Sequence, residues 1–238
     1  MPTTTTRTFM RSTFHADLRA VLDDLVVMTR MAGTAIERAT RSLVEADVTL
    51  ADSVIAADVE LDALREDVDA RSIDLLARQA PVATDLRTIV TSMRMSADLE
   101  RMGDLARHVA LVTRMRYPER AVPDELTATI LEMADACGRI VGMAGDVIAS
   151  RDGSAVDGIE AVDDELDHRH RELFTRMLGP DWTHGTQAAV DVTLLSRYYE
   201  RFGDHGVSVA RRVRYLVTGE RDGWLEGTVG EVVARGGQ

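Results

Sequence analysis

The 238-residue chain contains no lysine and no asparagine, and all 28 of its basic residues are arginine. Both missing amino acids have A-rich codons, so their absence marks a GC-rich genome rather than a mechanism. Cysteine is almost missing too. Cys137 stands alone, which excludes a disulfide framework or a cysteine zinc site within one chain and fits a reducing cytoplasm. Long apolar runs are also lacking: Leu25-Val26-Val27-Met28 falls far short of the roughly 20 residues a membrane-spanning helix needs. Residues 1–15 are threonine-rich with no apolar core of a signal peptide, so a cytoplasmic location is expected. Positive charge is the minority sign, 28 arginines against 40 acids for a net charge of −12. Such a balance argues against general affinity for nucleic acid or anionic lipid, both of which need clustered cations.

Proline is scarce as well, and its five positions (2, 81, 118, 123 and 180) leave long intervals free of helix breakers. Within them apolar residues recur at helical spacing. The first stripe is Leu18, Val21, Leu22, Leu25, Met28, Ala32, Ala35, Ile36, Ala39 and Leu43, a helix of about 45 Å at roughly 1.5 Å per residue. Further helices are expected over about 50–80, 81–116, 124–150, 154–178 and 185–217, with Pro81 in the first turn of the third. Residues 117–124 read as a linker. No alternating strand pattern occurs, so the expected fold is all-α. Six of the 17 glycines fall in the last twenty residues, which predicts a flexible Gly-rich tail over 218–238, docked if at all through Trp224.

The chain repeats itself. Glu100-Arg101-Met102-Gly103-Asp104 returns as Glu200-Arg201-Phe202-Gly203-Asp204, and seven of fifteen residues are identical between 100–114 and 200–214. Asp58-Val59-Glu60-Leu61-Asp62 matches Asp163-Asp164-Glu165-Leu166-Asp167 in four of five places, at an offset of 105 rather than 100. A tandem duplication of a three-helix unit follows, with residues 1–117 as the first repeat and 124–217 as the second.

Carboxylates dominate what is repeated. Asp58 and Asp62, Glu100 and Asp104, and their counterparts Asp163 and Asp167, Glu200 and Asp204, each sit four apart on one helix face. Those faces lie away from the apolar stripes, Met95, Met102, Leu105, Val109 and Val112 in the first repeat and Leu194, Leu195, Tyr198, Phe202, Val209 and Val213 in the second. Like charges at this spacing repel by roughly 0.2–0.5 kcal/mol, and repeating them on neighbouring helices points to a neutralising cation. Carboxylate oxygens are hard ligands suited to Mg, Ca, Mn or iron. The plain alternative is two solvated acidic faces paired with arginines such as Arg101 and Arg201. Gly103 and Gly203 cost about 1 kcal/mol each inside a helix, which suggests close helix approach or room beside an ion.

Other chemistry is poorly supported. Glu165 and His168 make a single Glu-x-x-His, but a di-iron site needs the motif twice and the counterpart of His168 is Ala63. His168, His170 and His205 are open between surface roles and contact with the second cluster. Arg87, Arg94 and Arg101 recur every seven residues, a pattern better explained by salt bridges than by an anion site. No nucleophile constellation and no Gly-rich phosphate loop occur.

Gln79-Ala80-Pro81-Val82-Ala83-Thr84-Asp85-Leu86-Arg87 with Leu99-Glu100-Arg101-Met102-Gly103-Asp104, and Tyr199-Glu200-Arg201-Phe202-Gly203-Asp204-His205 running on to Gly219, resemble the two repeat signatures of the PhoU family, its actinobacterial members especially. The likeness spans roughly residues 10–220. Departures are Gly206 where alanine is common, Ser208 where asparagine is common, and a single glutamine before Ala80-Pro81. The resemblance implies two three-helix bundles related by a pseudo-twofold axis and metal, iron or zinc foremost, on the ExxxD and DxxxD motifs. Carried over by residue, Asp58, Asp62, Glu100 and Asp104 would form one cluster, and Asp163, Asp167, Glu200 and Asp204 the other. It further implies a homodimeric, non-enzymatic adaptor that links a phosphate ABC transporter, through its ATPase subunit, to a sensor histidine kinase and represses the phosphate-starvation response. A metal-dependent hydrolase or ferroxidase-like enzyme on the same carboxylates, and a plain helical bundle without metal, are the other readings.

Overall fold

The computed structural model describes residues 4–78, 81 and 83–219, with side chains from residue 13 onward. The described residues form six long helices: α1 (Thr4–Glu45), α2 (Val48–Arg78), α3 (Thr84–Arg116), α4 (Thr127–Ser150), α5 (Val156–Leu178) and α6 (Gly185–Thr218). Short 3-10 turns precede α4 and α5, and no strand occurs among the described residues. Every described proline lies outside the helices, as loss of the backbone donor requires.

Two boundaries differ from the sequence expectation. With no breaker after Pro2, α1 runs 42 residues, about 63 Å, and begins well before its apolar stripe. Pro81 precedes α3 rather than occupying its first turn, because Ala83, with φ 37° and ψ −92°, turns the chain and α3 starts at Thr84. Elsewhere local chemistry sets the ends. Asp47 Oδ1 accepts from the Leu50 amide at 2.9 Å at the start of α2. The left-handed Arg151 (φ 55°) closes α4 with its amide on the Val147 carbonyl. The proposed tail and Trp224 lie, but for Thr218 and Gly219, outside the described residues.

α1–α3 form one bundle and α4–α6 the other, joined by α1 on α4 and α3 on α6. A single apolar core runs through both, from Phe14 and Leu18 of α1 to Phe202 and Val213 of α6. Buried polar contacts pin the two halves together. The Thr40 and Tyr199 hydroxyls meet at 2.8 Å. Arg116 donates twice to Asp191, at 2.7 and 2.8 Å, and the Asp191 side chain is only 6% exposed. Leu194, expected on the apolar side of α6, is 42% exposed.

Cys137 is fully buried, with its Sγ donating to the Tyr199 carbonyl at 3.3 Å. Burial pushes its thiol well above the ordinary range. It should therefore resist an aromatic disulfide reagent in native buffer and react fully in concentrated guanidinium chloride. Rapid native labelling would contradict this packing.

Candidate functional site

The two carboxylate sets lie at equivalent places, one between α2 and α3 and the other between α5 and α6. Glycines build both. A Cβ on Gly103 would stand 2.3 Å from Leu61 Cδ2 and 3.3 Å from Asp58 Oδ1. One on Gly203 would stand 2.6 Å from both Leu166 Cδ2 and Asp163 Oδ1. Each glycine thus lets the partner helix's leucine and aspartate settle against α3 or α6, bringing the DxxxD pair beside the ExxxD pair. The close-approach role anticipated for these glycines is the one they have.

The electrostatics of the two sets differ. In the first, Arg107 spans both helices, with Nε 2.6 Å from Asp58 Oδ2 and Nη2 2.6 Å from Asp104 Oδ1. Arg101 adds a contact of 2.8 Å to Asp104 Oδ2 and lies 3.7 Å from Glu100 Oε2. Burial pushes the Asp104 carboxyl up, but the hydrogen bonds and charges of Arg107 and Arg101 outweigh it and hold the group below its ordinary value. For Asp58 burial prevails over Arg107, and for Glu100 over Arg101, so both are raised.

In the second set the position of Arg107 is held by Val207, which is buried. Arg197 pairs with Glu200 Oε1, while Glu200 Oε2 is buried without a hydrogen-bond partner. Arg171 lies 3.6 Å from Asp167. Burial, followed by the charges of Asp204, Asp167, Asp164 and Glu200, lifts Asp163 to about 7. Burial also raises Asp204 and Glu200 despite Arg197. Asp104 and Asp204, equivalent by sequence, are thus displaced in opposite directions. As they stand, no three acidic, histidine or cysteine side chains among the described residues converge into a chelating set, so metal binding would take side-chain rotation.

Sequence reasoning overlooked Arg107. Its signal was present: within the matched fifteen residues, position 107 is arginine where position 207 is valine. His205 turns its Nδ1 to Asp98 Oδ1, 3.1 Å away across the interface between halves, and reaches Asp204 of the second cluster only through its charge. His170 stacks on Phe174 at 4.9 Å between centroids. Glu165 turns to Arg139 at 2.6 Å, which leaves the single Glu-x-x-His without a shared target. The Arg87–Arg94–Arg101 row is no unit either, since Arg87 lies over the Tyr215 ring and Arg101 pairs with acids.

The PhoU domain model matches the chain twice, over residues 25–113 and 130–213. The chain belongs to the PhoU family. The two matches start 105 residues apart and end 100 apart, the same slippage seen in the carboxylate motifs. It is similar to phosphate-specific transport system accessory protein PhoU homolog 2 of Mycobacterium tuberculosis, 44% identical over 210 residues, 88% of this chain and 99% of that protein. The PhoU homolog of Deinococcus radiodurans is 32% identical over 220 residues, covering 90% of this chain and all of that one. Among solved structures, PhoU from Pseudomonas aeruginosa superposes with a TM-score of 0.76 at 27% identity, over 87% of this chain and 100% of that one. The fold is shared by the regulatory protein PhoU from Streptococcus pneumoniae, TM-score 0.78, 21% identity, 87% and 98% covered. These PhoU proteins are named for accessory and regulatory roles. No helix among the described residues is long and apolar enough to cross a membrane.

Proposed function

We propose that the chain is an accessory regulator of phosphate uptake, a helical adaptor that acts through protein partners and not by turnover. The observation that carries this reading is the doubled family match together with the mycobacterial relative, which is alike over 88% of this chain and nearly its own whole length. The finer reading places it in the cytoplasm as a homodimer, between the ATPase subunit of a phosphate ABC transporter and a sensor histidine kinase, holding the starvation response off while phosphate is plentiful. Long, rigid helices with acidic exteriors suit such docking. Charged side chains on those exteriors provide for recognition of a partner.

Metal is part of the proposal. Clustered carboxylates of Asp58, Asp62, Glu100 and Asp104, and of Asp163, Asp167, Glu200 and Asp204, offer oxygen donors. Iron or zinc is favoured by the family resemblance, and Mg, Mn or Ca by ligand hardness. The buried, unpartnered Glu200 Oε2 supports a cation at the second set. A bound ion would neutralise the acids and brace α5 against α6.

Deleting the gene should switch on a phosphate-starvation reporter in high phosphate, and removing the sensor kinase as well should silence it again. A reporter that stays off in the single deletion would sink the regulatory role. One that stays on in the double deletion would sink the kinase linkage.

A further inference from the structure

We infer that the two carboxylate sets have diverged into unlike cation sites: the first is closed by the chain's own Arg107, and the second alone takes a metal ion. The inference rests on the metal-binding part of the proposed function and narrows it to one half of the duplicated fold.

The geometry is direct. A divalent cation that uses Asp58 and Asp104, the pair linking α2 to α3 in the first set, would need the place between them. That place belongs to a guanidinium, which contacts the two carboxylates at 2.6 Å each, one from Nε and one from Nη2. Arg101 takes the other oxygen of Asp104 at 2.8 Å. A metal entering here would have to break two charge-assisted hydrogen bonds to Asp104 and the ion pair of Arg107 with Asp58, and bring a second positive charge against a residue that cannot lose its proton. The donors present therefore do not fit a metal.

At the second set the same lattice of helices carries no such plug. Val207 replaces Arg107 and cannot reach out with charge. Another substitution works in the same direction, because His170 stands where the first half has Arg65. Neither Asp163 nor Asp204 has an ion-pair partner among the described residues, whereas both Asp58 and Asp104 have one. Two arginines do reach the second set, but at its flanks: Arg171 lies 3.6 Å from Asp167, and Arg197 satisfies one oxygen of Glu200 and leaves the buried Oε2 unpaired. A buried carboxylate oxygen with no donor is costly to retain unless something binds it. Asp163, Asp167, Glu200 and Asp204 supply the oxygens, and their side chains would have to rotate to meet on one ion. Duplication thus left one acidic pocket for an external cation and filled the other with an internal one.

Purified full-length protein, stripped with a chelator and then dialysed against Mn²⁺ or against Zn²⁺, tests the assignment by elemental analysis of what stays bound. Wild type should retain metal. Asp163→Asn/Asp204→Asn should lose it, and Asp58→Asn/Asp104→Asn should retain the wild-type amount. Two exchanges sharpen the test: Val207→Arg should remove the bound metal, and Arg107→Val should add metal that is lost again on Asp58→Asn. Circular dichroism establishes that each variant is folded, and Arg107→Gln replaces Arg107→Val if the latter is not. Loss of metal from the Asp58/Asp104 variant equal to that from the Asp163/Asp204 variant would overturn the inference while leaving metal binding in place. A wild type that retains neither ion would overturn the metal reading and the inference with it, without touching the regulatory role, which the reporter decides.

Discussion

Phe202→Ala should lower the free energy of unfolding by about 3–5 kcal/mol, the range for deleting a fully buried aromatic side chain from a close-packed core. Phe202 is 0% exposed and is among the largest fully buried side chains of the molecule. Its counterpart Met102, likewise 0% exposed, should cost somewhat less as alanine, about 2–5 kcal/mol, because a smaller side chain is removed. For a chain of this size each kcal/mol moves the melting temperature by roughly 2–4 °C. A shift on the order of 10 °C is therefore expected in a thermal melt of Phe202→Ala, and Phe202→Leu should recover most of it. A Phe202→Ala protein melting within a degree or two of wild type would show that α6 is not packed as described.

The second large effect belongs to the seam between the halves. Asp98 of α3 faces α6, where its Oδ1 lies 3.1 Å from His205 Nδ1 and its Oδ2 lies 2.9 Å from Arg212 Nη2. The Asp98 and Arg212 side chains are 13% and 15% exposed. Burial lowers the Arg212 guanidinium from its ordinary value, with Asp98 acting against that and Arg94 adding to it. Removing Asp98 takes away the compensating charge and leaves the Arg212 guanidinium poorly solvated, with the charge of Arg94 still acting against it. Breaking a buried pair from one side costs about 3–5 kcal/mol, and Asp98→Ala should approach the lower figure because the seam reaches solvent. Asp98→Asn keeps the hydrogen-bonding shape without the charge and should be damaging too, though less so. Chemical denaturation followed by circular dichroism measures both. Wild-type midpoints for both variants would mean that the apolar contacts of α1 with α4 and α3 with α6 suffice to join the halves.

This seam also shows how far a duplicated sequence departs from duplicated contacts. The equivalent of Asp98 is Tyr198, which stacks on His108 of α3 with ring centroids 5.3 Å apart. The equivalents of His205 and Arg212 are Leu105 and Val112. One side of the pseudo-twofold axis is therefore held by ions and the other by rings.

The helices, their order and the duplication were legible from residues alone, because the 3.6-residue periodicity, the proline positions and the repeated motifs are properties of the chain itself. So was the pairing of the acids on each helix, since a spacing of four residues sets a shared face wherever the helix goes. What faces that pair from the next helix is not a matter of spacing. It depends on how Gly103 seats Leu61 and how Gly203 seats Leu166, and hence on the register of one helix against another. That register carried Arg107 across to Asp58, left Val207 with nothing to offer Asp163, and turned His205 away from its neighbouring cluster towards Asp98. Local periodicity determined eight acids in two matching sets; interhelical packing, which a periodic pattern does not encode, decided that the two sets would differ.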